Sequence, residues 1–141
     1  MNKDINVNGF SVLLFRIALS GIFILAGVSH IMQPEQVAGR INKAAFKGFA
    51  ELFGDPYLLG LLSGYALLAF GVTFLAGIFV RHSAVALLLL LIPITITIQM
   101  GNGIFHGPLW KNVALFGGLL FFIINNPDSY TIINSIKKNR S

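Results

Sequence analysis

The sequence has 141 residues, of which 55% are apolar and 11% charged, against about 45–50% and about 25% in ordinary water-soluble domains. That length holds one domain and excludes a second, and so little charge excludes a conventional hydrated surface. The formal net charge of +5 sits at the ends of apolar runs, where lipid headgroups and membrane topology account for it, so nucleic acid is not an expected partner.

The first apolar run extends from Phe10 to Met32, about 23 residues and enough to cross roughly 30 Å of hydrocarbon. Pro34 stops it. Within this run Leu25-Ala26-Gly27-Val28 resembles a lipoprotein processing box, but Val28 stands where the lipidated cysteine would have to be. Arg16 interrupts the run and no small-x-small site follows it, so a cleaved signal peptide is not expected. The chain has no cysteine at all, which excludes disulfides, thiolate metal sites and cysteine-held clusters.

Pro34 and Glu35 read as a helix start, and Val37, Ile41, Ala45, Phe49 and Leu52 recur at helical spacing. With Arg40, Lys43, Lys47 and Glu51 on the remaining surface, residues 35–53 read as one amphipathic helix lying at the interface. A second span is expected over 57–80, a short turn at Arg81-His82, and a third span over 83–100. The alternation Ile94-Thr95-Ile96-Thr97-Ile98 imitates a strand. An isolated strand cannot satisfy its backbone in lipid, so the segment reads as a helix distorted by Pro93. A Gly-rich connector, 101–107, leads to Pro108 and a fourth span over 109–124, followed by Asn125-Asn126-Pro127 and a basic tail. The expected architecture is an all-α membrane protein, a four-helix transmembrane bundle with one interfacial helix between the first two spans.

An even number of spans puts both termini on one side. Lys3, Arg81, Lys137, Lys138 and Arg140 fall there, against Arg40, Lys43, Lys47 and Lys111 opposite. Five against four is a small bias, and counting acids makes it +3 against +1; it places both termini in the cytoplasm. Gly60, Gly64 and Gly71 share a face of the second span, and small residues so spaced let helix backbones approach closely. Ser20, Gly21, Gly27, Gly117 and Gly118 read the same way, as contacts within the bundle or between copies.

Charged groups in a bilayer need a reason. Arg16 lies inside the first span, either binding an anionic headgroup, substrate or partner carboxylate, or reaching back to the cytoplasmic surface. His30 follows it by 14 residues, roughly 21 Å along the helix, on nearly the same face. Topology gathers His30, Gln99, Asn102, His106, Trp110, Lys111 and Asn112 at the far boundary. An apolar cleft carrying His30, Gln99, His106, Lys111 and Asn112 would hold a quinone headgroup or a small oxyanion, with histidine as proton carrier. The bland alternative is an ordinary polar boundary with Trp110 in an aromatic belt. No metal site is expected, because His82 falls on the opposite side from His30 and His106. No arrangement for nucleophilic, paired-carboxylate or haem chemistry stands out.

Leu14-Phe15-Arg16-Ile17 with Gly21 through Gly27-Val28-Ser29-His30, the run Gly71–Gly77 to Arg81-His82, and His106-Gly107-Pro108-Leu109-Trp110-Lys111-Asn112 leading to Gly117-Gly118 resemble the DoxX-like family of small four-span membrane proteins. The order and spacing of these pieces over residues 12–124 carry the likeness. One departure is clear: many relatives have a Glu in the second span, whereas Tyr65-Ala66-Leu67-Leu68-Ala69-Phe70 has none. The resemblance implies a bacterial cytoplasmic membrane protein, with some relatives associated with thiosulfate:quinone oxidoreductase subunits or oxidative-stress complexes. Two functions follow as expectations. One is a quinone-linked redox subunit with no covalently bound cofactor. The other is a non-catalytic scaffold in a larger assembly, with other membrane subunits or further copies of itself as partners. Solute transport is a weaker third, since few polar groups are available to line a pathway.

Overall fold

A computed structural model describes residues 5–139; Lys3, Asp4 and Arg140, which enter the charge comparison, lie outside the described residues. Helix α1 spans Gly9–Met32, with the Asn8 side chain accepting from the Phe10 amide at its start. Two short helices follow, α2 (Pro34–Lys43) and α3 (Lys47–Glu51). Helix α4 spans Pro56–Ala76, and the Asp55 carboxylate accepts from the Tyr57 and Leu58 amides while Pro56 occupies a position that needs no donor. Helix α5 (Val80–Ile94) continues through a π-helical turn, Thr95–Gln99, and a 3-10 turn, Met100–Asn102. Helix α6 covers Gly107–Asn125, and α7 covers Ile132–Lys138.

Four of these stretches are long and apolar enough to cross a membrane: Gly9–Met32, Pro56–Ala76, Val80–Asn102 and Gly107–Asn125. Large apolar side chains such as Leu25, Leu62, Leu89 and Ile124 are exposed on them, a surface suited to lipid. The chain is a multi-pass membrane protein. The strand-like alternation after Pro93 is helical, as lipid requires of it.

Two elements differ from the sequence expectation. The turn between the second and third spans falls at Gly77-Ile78-Phe79, not at Arg81-His82. Gly77 takes a left-handed conformation (φ 74°), and the Gly77 and Ile78 amides return to the Phe74 and Thr73 carbonyls. This closes α4 four residues early, a C-terminal motif that glycine favours, and Arg81 and His82 join the first turn of α5. The interfacial helix is broken in two at Ala44-Ala45-Phe46, where the backbone at Ala44 is extended. No glycine or proline marks the break. It is tertiary: Ala45 sits where a Cβ on Gly101 would be, 2.5 Å from such an atom, and the bend lays α3 against the π turn. Val37 and Ile41 are buried as expected, but beyond the break Ala50 is buried while Ala45 is exposed and Leu52 is 79% exposed.

The bundle is held by α1 against α4. A Cβ on Gly27 would stand 2.7 Å from the Leu68 nitrogen, and one on Gly64 2.8 Å from the His30 Cβ. Gly71 meets Ile24, and Gly60 meets Val37 of α2. The glycine face of the second span is therefore an intramolecular contact. Gly118 does the same for α6 beneath Leu19, whereas Gly21 and Gly117 have open space beside them. Phe23, Phe74, Leu87, Leu119 and Phe122 fill the core, with Phe74 and Phe122 edge to face at 4.9 Å.

Arg16 does not reach the surface, and among the described residues it meets no carboxylate. It is 1% exposed, and its Nη1 and Nη2 donate to the Ser129 and Tyr130 carbonyls at 3.2 and 2.6 Å. The chain leaving α6 turns at Asn126 (φ 40°) and passes beneath α1, which brings those carbonyls to it.

Because Gly27 meets backbone, Gly27→Ala is expected to cost about 1–3 kcal/mol through overpacking, read as a lowered Tm in detergent. Gly21→Ala, facing open space, is expected to leave Tm unchanged or raise it. Equal effects at the two positions would contradict the packing described.

Candidate functional site

Far from the termini the four spans separate around a cavity of about 540 Å³. Its deeper wall is apolar: Phe23 and Ala26 from α1, Ala66 and Leu67 from α4, Leu91 from α5, Leu115 from α6. Its other end is polar, lined by His30, Ser63, Arg40, Thr97, Gln99, Lys111 and Asn112. Small residues make the space, since Ala26, Ser29, Ser63 and Ala66 stand where larger side chains would meet across the bundle.

Each polar group is positioned by a neighbour. His30, in the last turn of α1, has Nδ1 3.0 Å from the Ser63 hydroxyl, and that hydroxyl donates to the Gly60 carbonyl at 2.9 Å. With the Ser63 hydrogen so used, Nδ1 is the donor, and Nε2 is left to accept or donate according to its protonation. Gln99 ends the π turn, and its Oε1 accepts from His106 Nε2 at 2.8 Å, which leaves the amide nitrogen as a donor. Asn112 is buried on α6 and donates through Nδ2 to the Thr95 hydroxyl at 2.9 Å, which in turn donates to the Leu91 carbonyl at 2.7 Å. This chain fixes the distorted end of α5 to α6, downstream of the proline that cannot donate to its own helix.

Four of the five residues singled out from the sequence, His30, Gln99, Lys111 and Asn112, line this one cavity. His106 does not line it and acts by holding Gln99. Asn102 and Trp110 stand apart, donating to the Ile98 and Ile104 carbonyls. Arg16 lies near the opposite end. Sequence reasoning missed Arg40, Ser63 and Thr97. By periodicity Arg40 falls on the polar face of its helix, and the docking of α2 on α4 brings it to the cavity. Ser63 carried a usable signal as a hydroxyl beside Gly64 in an otherwise apolar turn. Among the described residues no three His or carboxylate side chains gather as a metal site would require.

What such an arrangement can do is hold an amphiphile. The donors at one end orient a polar head, and the apolar wall takes a tail. Ile22 also lines the cavity and is 40% exposed. It lies 13 residues into α1, about 20 Å along it, so the cavity's lining reaches mid-membrane depth.

A protein-family model described as DoxX matches residues 11–100, more than half of the chain, from α1 to the end of the π turn and the residue after it. No curated protein matches the chain, and no solved structure does.

Thr95→Val removes the acceptor of the buried Asn112 amide and is expected to cost about 1–3 kcal/mol. A double-mutant cycle with Asn112→Ala should return a coupling of about 1 kcal/mol, measured by thermal unfolding in detergent. Strict additivity would mean that the two side chains do not hold α5 to α6.

Proposed function

The chain belongs to the DoxX family, and from that premise we propose that its cavity binds the headgroup of a membrane quinone and that the protein is a quinone-linked redox subunit. The observation that carries this reading is the cavity's polarity: hydrogen-bonding groups at one end and an apolar wall behind them that reaches Ile22. Quinone carbonyls are acceptors, and Gln99 and Lys111 supply donors for them, joined by His30 Nε2 when the ring is protonated. Reduction to the quinol takes up two electrons and two protons. The electrons come from a partner subunit or a small reductant, and His30 is the group suited to pass protons. His106 contributes through Gln99.

Binding of a short-chain benzoquinone and of a naphthoquinone to the detergent-purified protein tests the reading. His30→Ala is expected to weaken affinity about tenfold, the worth of one good hydrogen bond. Ala66→Phe, which fills the apolar wall, is expected to abolish binding, and His106→Ala to act weakly. Unchanged affinity in both His30→Ala and Ala66→Phe would reject this site. Absence of quinone binding together with copurification of a membrane partner in mild detergent would put the scaffold reading in its place.

With both termini in the cytoplasm of a bacterial cell, the polar end of the cavity faces outward across the inner membrane. The natural absence of cysteine gives a clean background for labelling. Asn102→Cys should react with an impermeant maleimide on intact cells, and Lys137→Cys only after lysis; the reverse pattern would invert the orientation.

A further inference from the structure

Among the described residues the cavity is lined by two cationic side chains, Arg40 from α2 and Lys111 from α6, and by no Asp or Glu. The carboxylates of that end, Glu35, Glu51 and Asp55, are exposed, and Asp55 is committed to the start of α4. A neutral ring needs hydrogen bonds but not two positive charges. Charges at the mouth of an apolar, partly dehydrated space act through a lower dielectric than water, so an opposite charge gains more there than at an open surface. Gln99, and His30 Nε2 when the ring is protonated, add hydrogen bonds that an oxyanion accepts as readily as a carbonyl does.

A cavity of about 540 Å³ falls in the range of pockets that enclose one small ligand, room for one hydrocarbon tail with its head. The apolar lining, which reaches Ile22, takes such a tail while the head stays at the polar end.

We infer that the cavity also takes a single-tailed amphiphile with an anionic head, a carboxylate or a phosphate, which binds more tightly than a neutral analogue and competes with quinone. This rests on the cavity being the ligand site, as proposed above. It adds a charge preference and makes quinone occupancy depend on the local supply of fatty acid or of single-chain phospholipid.

The test compares dodecanoate with dodecanol, equal in length and different in charge, at pH 8 in a non-ionic detergent. Calorimetry is run on the wild type and on the Arg40→Gln/Lys111→Gln double variant, with melting curves to check folding. The wild type is expected to favour dodecanoate at least tenfold, and the double variant to bring the ratio near one through loss of dodecanoate affinity. Dodecyl phosphate and a lysophosphatidate separate the two sources of the head: both tighter than dodecanoate assigns the phosphate form, both weaker the free fatty acid. Equal affinity for dodecanoate and dodecanol in the wild type overturns the inference. Quinone binding that dodecanoate does not displace overturns it too, and leaves the quinone reading standing. Selective, Ala66→Phe-sensitive dodecanoate binding without quinone binding upholds it and removes quinone alone. Binding of both that is indifferent to Ala66→Phe overturns the cavity itself and the inference with it.

Discussion

The contact on which the rest depends is the approach of α1 and α4 at Gly27 and Gly64. Each glycine leaves room for the other helix's backbone, Gly27 facing the Gly64 carbonyl and Gly64 the His30 Cβ. In lipid there is no hydrophobic force to press helices together, so such association draws on close packing and hydrogen bonds. The same approach brings the His30 ring to the Ser63 hydroxyl. Fold and site are therefore positioned by one pair of residues.

Nearer the termini the bundle is filled differently. Phe15, Phe74, Phe121 and Phe122 pack their rings together, and Gly118 admits Leu19 of α1 against α6. Toward the other end the facing residues become Ala26, Ser63 and Ala66, and space opens. The gradient from aromatic to small side chains fills the interior between α1, α4 and α6 at one end and leaves it hollow at the other. Arg16 belongs to the closed end. A buried guanidinium is costly unless hydrogen-bonded, and here two backbone carbonyls from the segment before α7 meet it. The cations of the hollow end, Arg40 and Lys111, stay exposed on the rim. One positive charge seals the protein; two others surround an opening.

Much of this was legible in the chain because lipid restricts the backbone so severely. Runs of apolar residues and their punctuation by proline and glycine give four spans, and topology then assembles His30, Gln99, Lys111 and Asn112 at one boundary before any packing is known. What was not legible was tertiary. Nothing in Ala44-Ala45-Phe46 announces a break, because the bend answers to Gly101 more than fifty residues later. Arg40 looked solvated for the same reason: its helix had a polar face, and its docking against α4 was invisible to periodicity. The turn at Gly77 was a local miss, since a glycine closing an apolar helix outranks a basic pair as a stop.

The strand-like alternation after Pro93 shows how a misleading pattern and a correct fold coexist. Thr95 and Thr97 are both buried, yet residues two apart on a regular helix point about 200° away from each other. Both can be inside only if the turn is covered on opposite sides. That is its situation: α6 meets it on one side, where Asn112 takes the Thr95 hydroxyl, while α2 and α3 also pack against it and Thr97 lines the cavity. Alternation with period two is then the signature of a helical turn enclosed twice. The proline that removes a hydrogen bond and the π turn that follows set the direction in which Thr97 and Gln99 project. A distortion that would weaken an ordinary span here supplies part of the cavity's polar end.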